Sequence, residues 1–274
     1  MISVIIPTYK RKQMLVRALS SLEQQTYKEI EIIVIDDDSD CSVEKIVNNI
    51  NNTHIRYLKS PNIGGAGARN VGIKEARGEF IAFLDDDDYY HCDKLLLQLR
   101  QLKKTSTDVV LCGSYNLTTK KEQVLAEDHD IEFALRMGNP YQINLLARSE
   151  VIKVNKFDED LPNGQDWDIL VRLIKAGVKL SYIAKPLVYR DDGDHYRITN
   201  SILYKDSQTQ KRLTAINKHR AWLKEKYFKY RCAKEELAYI SKRKEKLFVI
   251  LNVLRKYGIK AIAYVIVARM LRYV

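Results

Sequence analysis

The sequence predicts an α/β protein with a mostly parallel sheet flanked by helices, followed by a basic helical appendage. Short β-branched runs alternate with helical apolar patterns over the first part of the chain, which is the pattern of βαβ units. Several of these runs end in polar or acidic loops, and such loops cluster at one edge of a parallel sheet. From about residue 200 long basic helical patterns replace the alternation.

The elements follow from the spacing of apolar residues and from the residues that interrupt it. Strands are predicted at 3–6, 30–35, 55–58, 80–84, 109–112, 180–183 and 187–189. Helices are predicted at 14–24, 43–50, 69–76, 93–103 and 166–176, with a flexible glycine turn at 64–67 before the third of them. The polar segment 117–130 has no readable period.

Composition limits the class of protein. The chain has 274 residues, of which 46% are hydrophobic and 30% charged, and this excludes a disordered chain. The formal net charge of +11 lies entirely in the last quarter, because residues 201–274 hold 19 Lys and Arg against 5 Asp and Glu. A surface of this kind meets an anionic membrane, nucleic acid or an acidic partner.

The apolar stretches of the basic tail, 247–254 and 261–268, are only eight residues each. Neither reaches the roughly 20 residues that a membrane-spanning helix needs. Three roles stay open: a helix in the interface of an anionic membrane, self-association with another subunit, and a structural helix packed on the main domain.

Cellular location is inferred from the cysteines and the N-terminus. The four cysteines have no C-x-x-C spacing, which argues against a disulfide framework or a zinc site. The first residues lack the basic segment and the long apolar run of a signal peptide. We expect a cytoplasmic protein, with peripheral attachment at the inner face of the plasma membrane as the further option.

The most informative feature is the run Asp85-Asp86-Asp87-Asp88, directly after the fourth predicted strand. Four adjacent anions repel one another, and a bound cation would offset this repulsion, so the run indicates a cation-binding site. Mg²⁺ and Mn²⁺ take oxygen ligands and are often shared with substrate phosphates. The simpler interpretation is a solvated acidic turn.

Two further segments share that edge of the predicted sheet. The run Asp36-Asp37-Asp38 follows the second strand, and its carboxylates could accept a hydrogen bond from a base or hold a metal. The glycines at 64–67 precede a helix, whose N-terminal N–H groups favour an anion, and Arg69 adds a guanidinium.

A third acidic element, Asp166-Trp167-Asp168, begins a predicted helix. One carboxylate could act as the N-cap, and one could act as a general base. Only one of Asp166 and Asp168 can face a pocket, since positions two apart on a helix do not share a face.

Taken together, five segments resemble the family 2 glycosyltransferases of the GT-A fold, over about residues 1–195. They are SVIIPTY at 3–9, IVIDDDS at 33–39, ARNVG at 68–72, FLDDDD at 83–88 and DWD at 166–168. The resemblance implies a Rossmann-like sheet and an inverting transfer of a sugar from a nucleotide-diphospho-sugar to a hydroxyl of a glycan acceptor. The donor it implies is a UDP-sugar, and the cofactor is Mn²⁺ or Mg²⁺.

The resemblance also assigns residues to the donor. The loop Pro7, Thr8 and Tyr9 and the carboxylate of Asp37 would contact the nucleoside, with Arg69 on the same side. The D-x-D pair maps best onto Asp85 and Asp87.

In that mapping Asp87 would bind the metal, Asp85 would lie near the ribose or the metal, and Asp86 would face the donor. The physics agrees, because a divalent ion neutralises the charge that grows on the departing diphosphate.

On the acceptor side the resemblance assigns the general base to Asp166. His195 lies where some relatives supply a late metal or phosphate contact, and a surface histidine is the other interpretation. The chain departs from the family pattern at Gln165, where Glu is common, and at Asp38, where Gly is frequent. Four consecutive Asp residues also leave the D-x-D register open between 85/87 and 86/88.

Three other functions fit the sequence less well. A nucleotidyltransferase lacks support because no basic glycine-rich loop lies near the N-terminus. A non-catalytic nucleotide-sugar or carbohydrate-binding module would need no base at Asp166. Nucleic-acid binding through aromatic residues of the basic tail is not expected.

The sequence predicts two domains. Residues 1–200 form the catalytic domain, with a nucleotide-binding half at 1–112 and an acceptor-side half at 113–200. Residues 201–274 form a helical basic extension.

Overall fold

The computed structural model describes residues 1–40, 43–50, 54–193, 206–238, 240 and 245–270, and it describes no side chains at 206–209 and 268–270. Its strands are β1 Ile2–Thr8, β2 Ile30–Asp36, β3 Ile55–Lys59, β4 Phe80–Phe83, β5 Tyr89–Tyr90, β6 Val109–Asn116, β7 Lys121–Gln123, β8 Leu145–Arg148 and β9 Leu180–Arg190. Its helices are α1 Lys12–Glu23, α2 Glu44–Asn49, α3 Gly64–Glu75, α4 Lys94–Thr105, α5 Ile131–Met137, α6 Ser149–Val154, α7 Gln165–Lys175, α8 Asp206–Lys218, α9 Arg220–Glu236, α10 Lys246–Tyr257 and α11 Ile259–Met270.

The strands form one sheet in the order β3-β2-β1-β4-β8-β6-β9-β5, with β7 paired to β6. The first four are parallel, whereas β8 runs antiparallel to both of its neighbours. Strands β2 and β3 lie on one side of β1 in the sheet, and β4 lies on its other side. The order of strands therefore reverses between β1 and β4, and open α/β sheets bind their ligands outside the carboxyl ends of strands at such a point.

The central strands are apolar on both faces because helices cover both sides of the sheet. All seven residues of β2 and all four of β4 are buried. This is why they read in the sequence as continuous apolar runs rather than as alternating ones. On one face α3 lies against β1 so closely that a Cβ atom at Gly72 would lie 2.4 Å from Ile5 Cγ2. Glycine at this position therefore sets the distance between helix and sheet.

Two predicted elements differ from the structure. The predicted strands 180–183 and 187–189 are one strand, β9, whose register against β6 shifts beside Gly113, where Cys112 pairs with Ile183 and Gly113 with Pro186. Such an irregularity interrupts the alternation of side chains, so the sequence shows two short strands. The predicted glycine turn at 64–67 is the first turn of α3, for a reason that lies in the site described below.

The chain divides into two compact units. The first comprises Met1–Ile131, Tyr141–Glu159 and Arg172–Gly193, and contains the sheet. The second comprises Glu132–Pro140, Asp160–Val171 and Asp194–Val274. In the second unit α10 and α11 pack against α9 through a small apolar cluster: Tyr230, Ala233, Leu237, Val253, Ala261 and Val265. Across the described residues, no helix is both long and apolar enough to cross a membrane.

Lys94, at the start of α4, is fully buried beneath the sheet. Its ammonium donates to Gln98 Oε1 at 2.7 Å and lies 4.0 Å from the centroid of the Tyr90 ring. Burial lowers the pKa of Lys94 to about 8, and the nearby Cys112 thiol acts in the opposite direction. Burial also raises the pKa of Cys112 to about 11. The folded protein thus holds a cation that water would solvate better.

We expect Lys94→Met to raise the free energy of unfolding at pH 7 by about 1–2 kcal/mol, because it removes a buried charge. Unfolded lysine keeps its proton up to about pH 10, so between pH 8 and 10 this residue binds more protons in the unfolded chain than in the folded one, and its destabilising effect fades as the pH rises. The advantage of the variant should therefore shrink at high pH.

Urea unfolding of both proteins at neutral and alkaline pH measures this difference. Lys103→Met, an exposed change on the same helix, is the control and should have little effect at either pH. A variant less stable than wild type at pH 7 would contradict the prediction.

Candidate active site

The acidic run forms a tight turn at the carboxyl end of β4, in which the Asp88 N–H donates to the Asp85 carbonyl at 3.0 Å. One carboxylate oxygen from each of Asp85, Asp87 and Asp88 lies within 4.8 Å of the others. Asp87 and Asp88 are buried and Asp85 is half-buried. Three oxygen donors this close together form a set suited to a hard divalent cation.

Asp86 belongs to a different set of contacts. Thr8 Oγ1 donates to its Oδ2 at 2.8 Å, and Arg11 Nη1 donates to its Oδ1 at 2.8 Å. These bonds join the ends of β1 and β4, the two strands between which the sheet order reverses. Burial raises the pKa of Asp86 to about 6, while Arg11 acts in the opposite direction. Asp86 thus fastens the turn to β1 and leaves its three neighbours grouped together.

Three arginines surround the turn. Arg11 also donates to Asp87 Oδ2 at 3.0 Å, and Arg69 Nη2 donates to Asp85 Oδ1. Arg17 donates to the backbone carbonyl of Asp87. Burial opposes the charge of Arg11, yet the carboxylates of Asp86 and Asp87 outweigh it and raise the pKa of Arg11. Part of the negative charge of the turn is therefore balanced by the protein itself.

Asp88 is held by the chain that follows β9. Its Oδ1 accepts from the Asp191 N–H at 3.1 Å, and the Asp191 carboxylate pairs with Arg17 at 2.8 Å. Burial, followed by the carboxylates of Asp87 and Asp85, raises the pKa of Asp88 well above its usual range. Asp191, four residues before His195, thus lies at the turn. His195 lies outside the described residues.

Asp37 holds the start of α3. Its Oδ1 accepts from the Ile63 N–H at 2.9 Å and from the Ser60 hydroxyl, and its Oδ2 accepts from the Gly64 N–H at 2.7 Å. The anion at this helix N-terminus is therefore the carboxylate of Asp37, which explains why the glycines are helical. These three bonds use three of the about four lone-pair directions of the Asp37 carboxylate.

The neighbours of Asp37 are also fixed by local bonds. Tyr57 donates to Asp36 Oδ2 at 3.0 Å, and the Asp38 N–H donates to Asp36 Oδ1 at 3.1 Å. Asp38 is buried, and its Oδ1 lies 3.8 Å from the ammonium of Lys10. Pro7 and Thr8 end β1 at the same edge, and Tyr9 follows them with Lys10 over its ring.

The second unit separates the roles of the two acidic residues at the start of α7. Asp168 is fully buried, and its Oδ1 lies 2.7 Å from both His219 Nε2 and Lys218 Nζ. Asp166 is half-buried, and its Oδ2 accepts from Asn139 Nδ2 at 2.7 Å. Of the two carboxylates, that of Asp168 is therefore enclosed by its partners, whereas that of Asp166 keeps partial exposure to solvent.

Trp167, between them, fixes the first turn of α7 as well. Its indole Nε1 donates to the Leu135 carbonyl at 2.8 Å, and the Arg231 guanidinium lies 4.4 Å from its ring centroid. Burial lowers the pKa of Arg231, whereas the carboxylates of Glu235 and Asp166 act in the opposite direction. Asp166 thus sits on a helix start whose neighbours are held by packing and hydrogen bonds.

The first unit is therefore an open α/β sheet with a cluster of oxygen donors at its switch point, the arrangement of enzymes that bind a nucleotide with a divalent cation. The sequence model of glycosyl transferase family 2 matches residues 3–154. The chain belongs to this family, which confirms the predicted family and enzyme class.

Curated relatives support the same conclusion. The chain is 28% identical over 205 residues to the amylovoran biosynthesis glycosyltransferase AmsB of Erwinia amylovora, covering 68% of this chain and 67% of the relative. It is 36% identical over 184 residues to WfaP of Escherichia coli, a UDP-Glc:alpha-D-GlcNAc-diphosphoundecaprenol beta-1,3-glucosyltransferase, covering 65% and 72%. An uncharacterized glycosyltransferase of Rickettsia felis is 32% identical, and the match spans only 29% of its length.

Solved structures confirm the GT-A type fold. Staphylococcus aureus TarS 1-349 in complex with UDP-GlcNAc superposes with a TM-score of 0.69 at 19% identity, covering 93% of this chain and 80% of that one. The mannosyltransferase PcManGT of Pyrobaculum calidifontis, in complex with GDP-Man and Mn²⁺, has a TM-score of 0.62 at 15% identity, covering 98% and 79%. At these identities the likeness concerns the fold alone.

The contrast between Asp166 and Asp168 is measurable as stability. We expect Asp168→Asn to lower the free energy of unfolding by about 3 kcal/mol, because it removes the buried carboxylate that both His219 Nε2 and the Lys218 ammonium contact. Asp166→Asn should cost less than about 1 kcal/mol, since its carboxylate is half-exposed. Urea unfolding followed by tryptophan fluorescence reports this, because both tryptophans lie in the second unit. Equal losses in the two variants would contradict the assignment.

Proposed function

We propose that the protein is an inverting glycosyltransferase that moves a sugar from a UDP-sugar to a hydroxyl of a saccharide, lipid-linked or glycoprotein glycan acceptor, with a divalent metal and an aspartate base. The observation that carries this proposal is the grouping of the Asp85, Asp87 and Asp88 carboxylates within 4.8 Å at the switch point. Residues 1–200 would form the catalytic domain, with halves at 1–112 and 113–200, and residues 201–274 the helical extension.

The donor set fits Mn²⁺ or Mg²⁺, which prefer carboxylate oxygens. Asp87 and Asp85 would hold the ion, as the D-x-D register 85/87 requires, and Asp88 offers a third oxygen. When bound, the ion would supply a Lewis acid for the charge on the departing diphosphate. The opposite register is disfavoured because both oxygens of Asp86 already bind Thr8 and Arg11. Burial is the main cause of the raised pKa values of Asp86 and Asp88, and neighbouring carboxylates add to it.

The nucleoside would lie between the ends of β1 and β2. Pro7, Thr8 and Tyr9 would line it, and the remaining lone pair of Asp37 would accept the N–H of a uracil base. Arg69 and Arg11, which pair with the acidic turn, would donate to the diphosphate oxygens. WfaP is named for the donor UDP-Glc, and TarS was solved in complex with UDP-GlcNAc, which supports uridine, whereas PcManGT was solved with GDP-Man.

Asp166 would be the base that removes the acceptor proton as the new bond forms. Its amide partner Asn139 orients the carboxylate, and the fixed contacts of Trp167 and Asp168 hold its helix turn. The name of WfaP supports a lipid-linked diphosphate acceptor.

We also propose a cytoplasmic location, consistent with the free thiols of Cys92, Cys112 and Cys232.

Calorimetric titration with UDP, with and without Mn²⁺, tests the donor site. Wild type should bind UDP more tightly with the metal, and Asp87→Asn should lose most of this gain because it removes one of three oxygen ligands. Asp128→Asn makes the same charge change at an exposed position and should behave as wild type. Binding of UDP that is equal with and without metal would contradict the metal proposal.

Release of UDP from UDP-glucose or UDP-GlcNAc, with a synthetic GlcNAc-diphospho-lipid as acceptor, tests the base. Asp166→Asn should retain wild-type UDP binding and lose turnover by roughly 10²–10⁴-fold, the usual contribution of a general base. Undiminished turnover would exclude Asp166 as the base. Binding of donor without turnover by the wild type on any acceptor would favour the non-catalytic binding module.

A further inference from the structure

The last two described helices expose apolar side chains to solvent. In α10 the exposed residues Leu247, Leu251 and Leu254 recur at helical spacing, with Phe248 beside them, whereas Val253 is buried. The exposed fractions of Leu247 and Phe248 are 70% and 61%, far more than an ordinary core helix leaves in water. This helix is therefore apolar on two faces, only one of which is covered by α9.

The same arrangement recurs in α11. Ala261 and Val265 are buried against α9, whereas Ile259, Ile266 and Val267 are exposed on the other side. Because α10 and α11 pack on the same helix, their exposed faces are both directed away from it. We call this surface the outer face of α10 and α11. Exposed apolar side chains on two helices that contact each other are typical of an interaction site.

Cations border the outer face. Lys246, Arg255 and Lys260 are exposed, and residues 245–270 hold five basic residues against the single acidic Glu245. Lys256 pairs with Glu236, so it adds less to this charge. Long basic side chains can lay their apolar stems along a hydrophobic surface while their charges reach anionic groups.

We propose that the outer face of α10 and α11 binds the surface of an anionic lipid bilayer, with both helices lying in its interface. At twelve residues each, the helices are about 18 Å long and too short to span the hydrocarbon core. An apolar face rimmed by Lys and Arg is the combination that interfacial helices use. The proposal rests on the second unit alone and stands apart from the proposed chemistry.

A second copy of the chain fits this face less well. A symmetric dimer would bring the same cations of both copies together, and like charges at an interface oppose association. Nucleic acid would use the cations, but it would leave Leu247, Leu251 and Ile259 without apolar partners. Of these three occupants, the anionic bilayer is the one that meets both the charges and the apolar side chains.

Sedimentation with sucrose-loaded vesicles tests the proposal on the full chain. Wild type should sediment with phosphatidylcholine vesicles that contain a quarter of phosphatidylglycerol, and much less with phosphatidylcholine alone. Leu247→Glu with Leu251→Glu should weaken binding to the mixed vesicles by at least about 100-fold, roughly tenfold for each leucine. Arg255→Gln with Lys260→Gln should weaken it about 25-fold, roughly fivefold for each charge.

Matched controls make the result specific. Val154→Glu places the same charge at an apolar residue that is 84% exposed in the other unit, and Lys103→Gln with Lys104→Gln removes two exposed charges from α4. Both controls should sediment as wild type, and every variant should keep the wild-type unfolding midpoint. Wild type that stays in solution, or leucine variants that bind as wild type does, would overturn the proposal. So would light scattering that shows a dimer dissociated by the leucine changes without vesicle binding.

Discussion

The constraint on which the first unit depends is the repulsion among four consecutive carboxylates at the end of β4. At separations under 5 Å each pair of charges costs on the order of a few kcal/mol near a protein surface. The positive charges of Arg11, Arg17 and Arg69 offset this repulsion. Arg11 lies in the loop after β1, Arg17 in α1 and Arg69 in α3. The turn is therefore held in place by the same elements that would bind the donor.

The reversal of strand order explains why these elements meet. The strands β1 and β4 are neighbours in the sheet although about 80 residues separate them in the chain, and the bond between Thr8 and Asp86 joins their ends. Asp37 acts similarly at the end of β2, where its carboxylate holds the loop before α3. Asp86 and Asp37 thus each fix the geometry of the acidic loop to which they belong.

Local patterns made much of this predictable from the sequence. The strands β1, β2 and β4 are largely apolar runs, and acidic loops follow β2 and β4 directly, so both the sheet and the edge where these loops lie could be located. Arg11 and Arg17 were missed because their partners lie 70 or more residues away, and no local period reports such a pairing. The helical start of the glycine segment was missed for the same reason, since the carboxylate that holds it comes from another loop.

The pair Asp166 and Asp168 shows where sequence reasoning reaches its limit. Helical geometry alone requires that the two carboxylates face different directions, but it does not say which one is buried. The answer depends on His219 and Lys218, which lie about 50 residues further along in a segment that the sequence marks only as basic and helical. The second unit thus contributes more than a charged surface, because it holds Asp168 in the interior. Since Asp168 fixes the first turn of α7, the nearby carboxylate of Asp166 keeps a defined orientation although it is only half-buried.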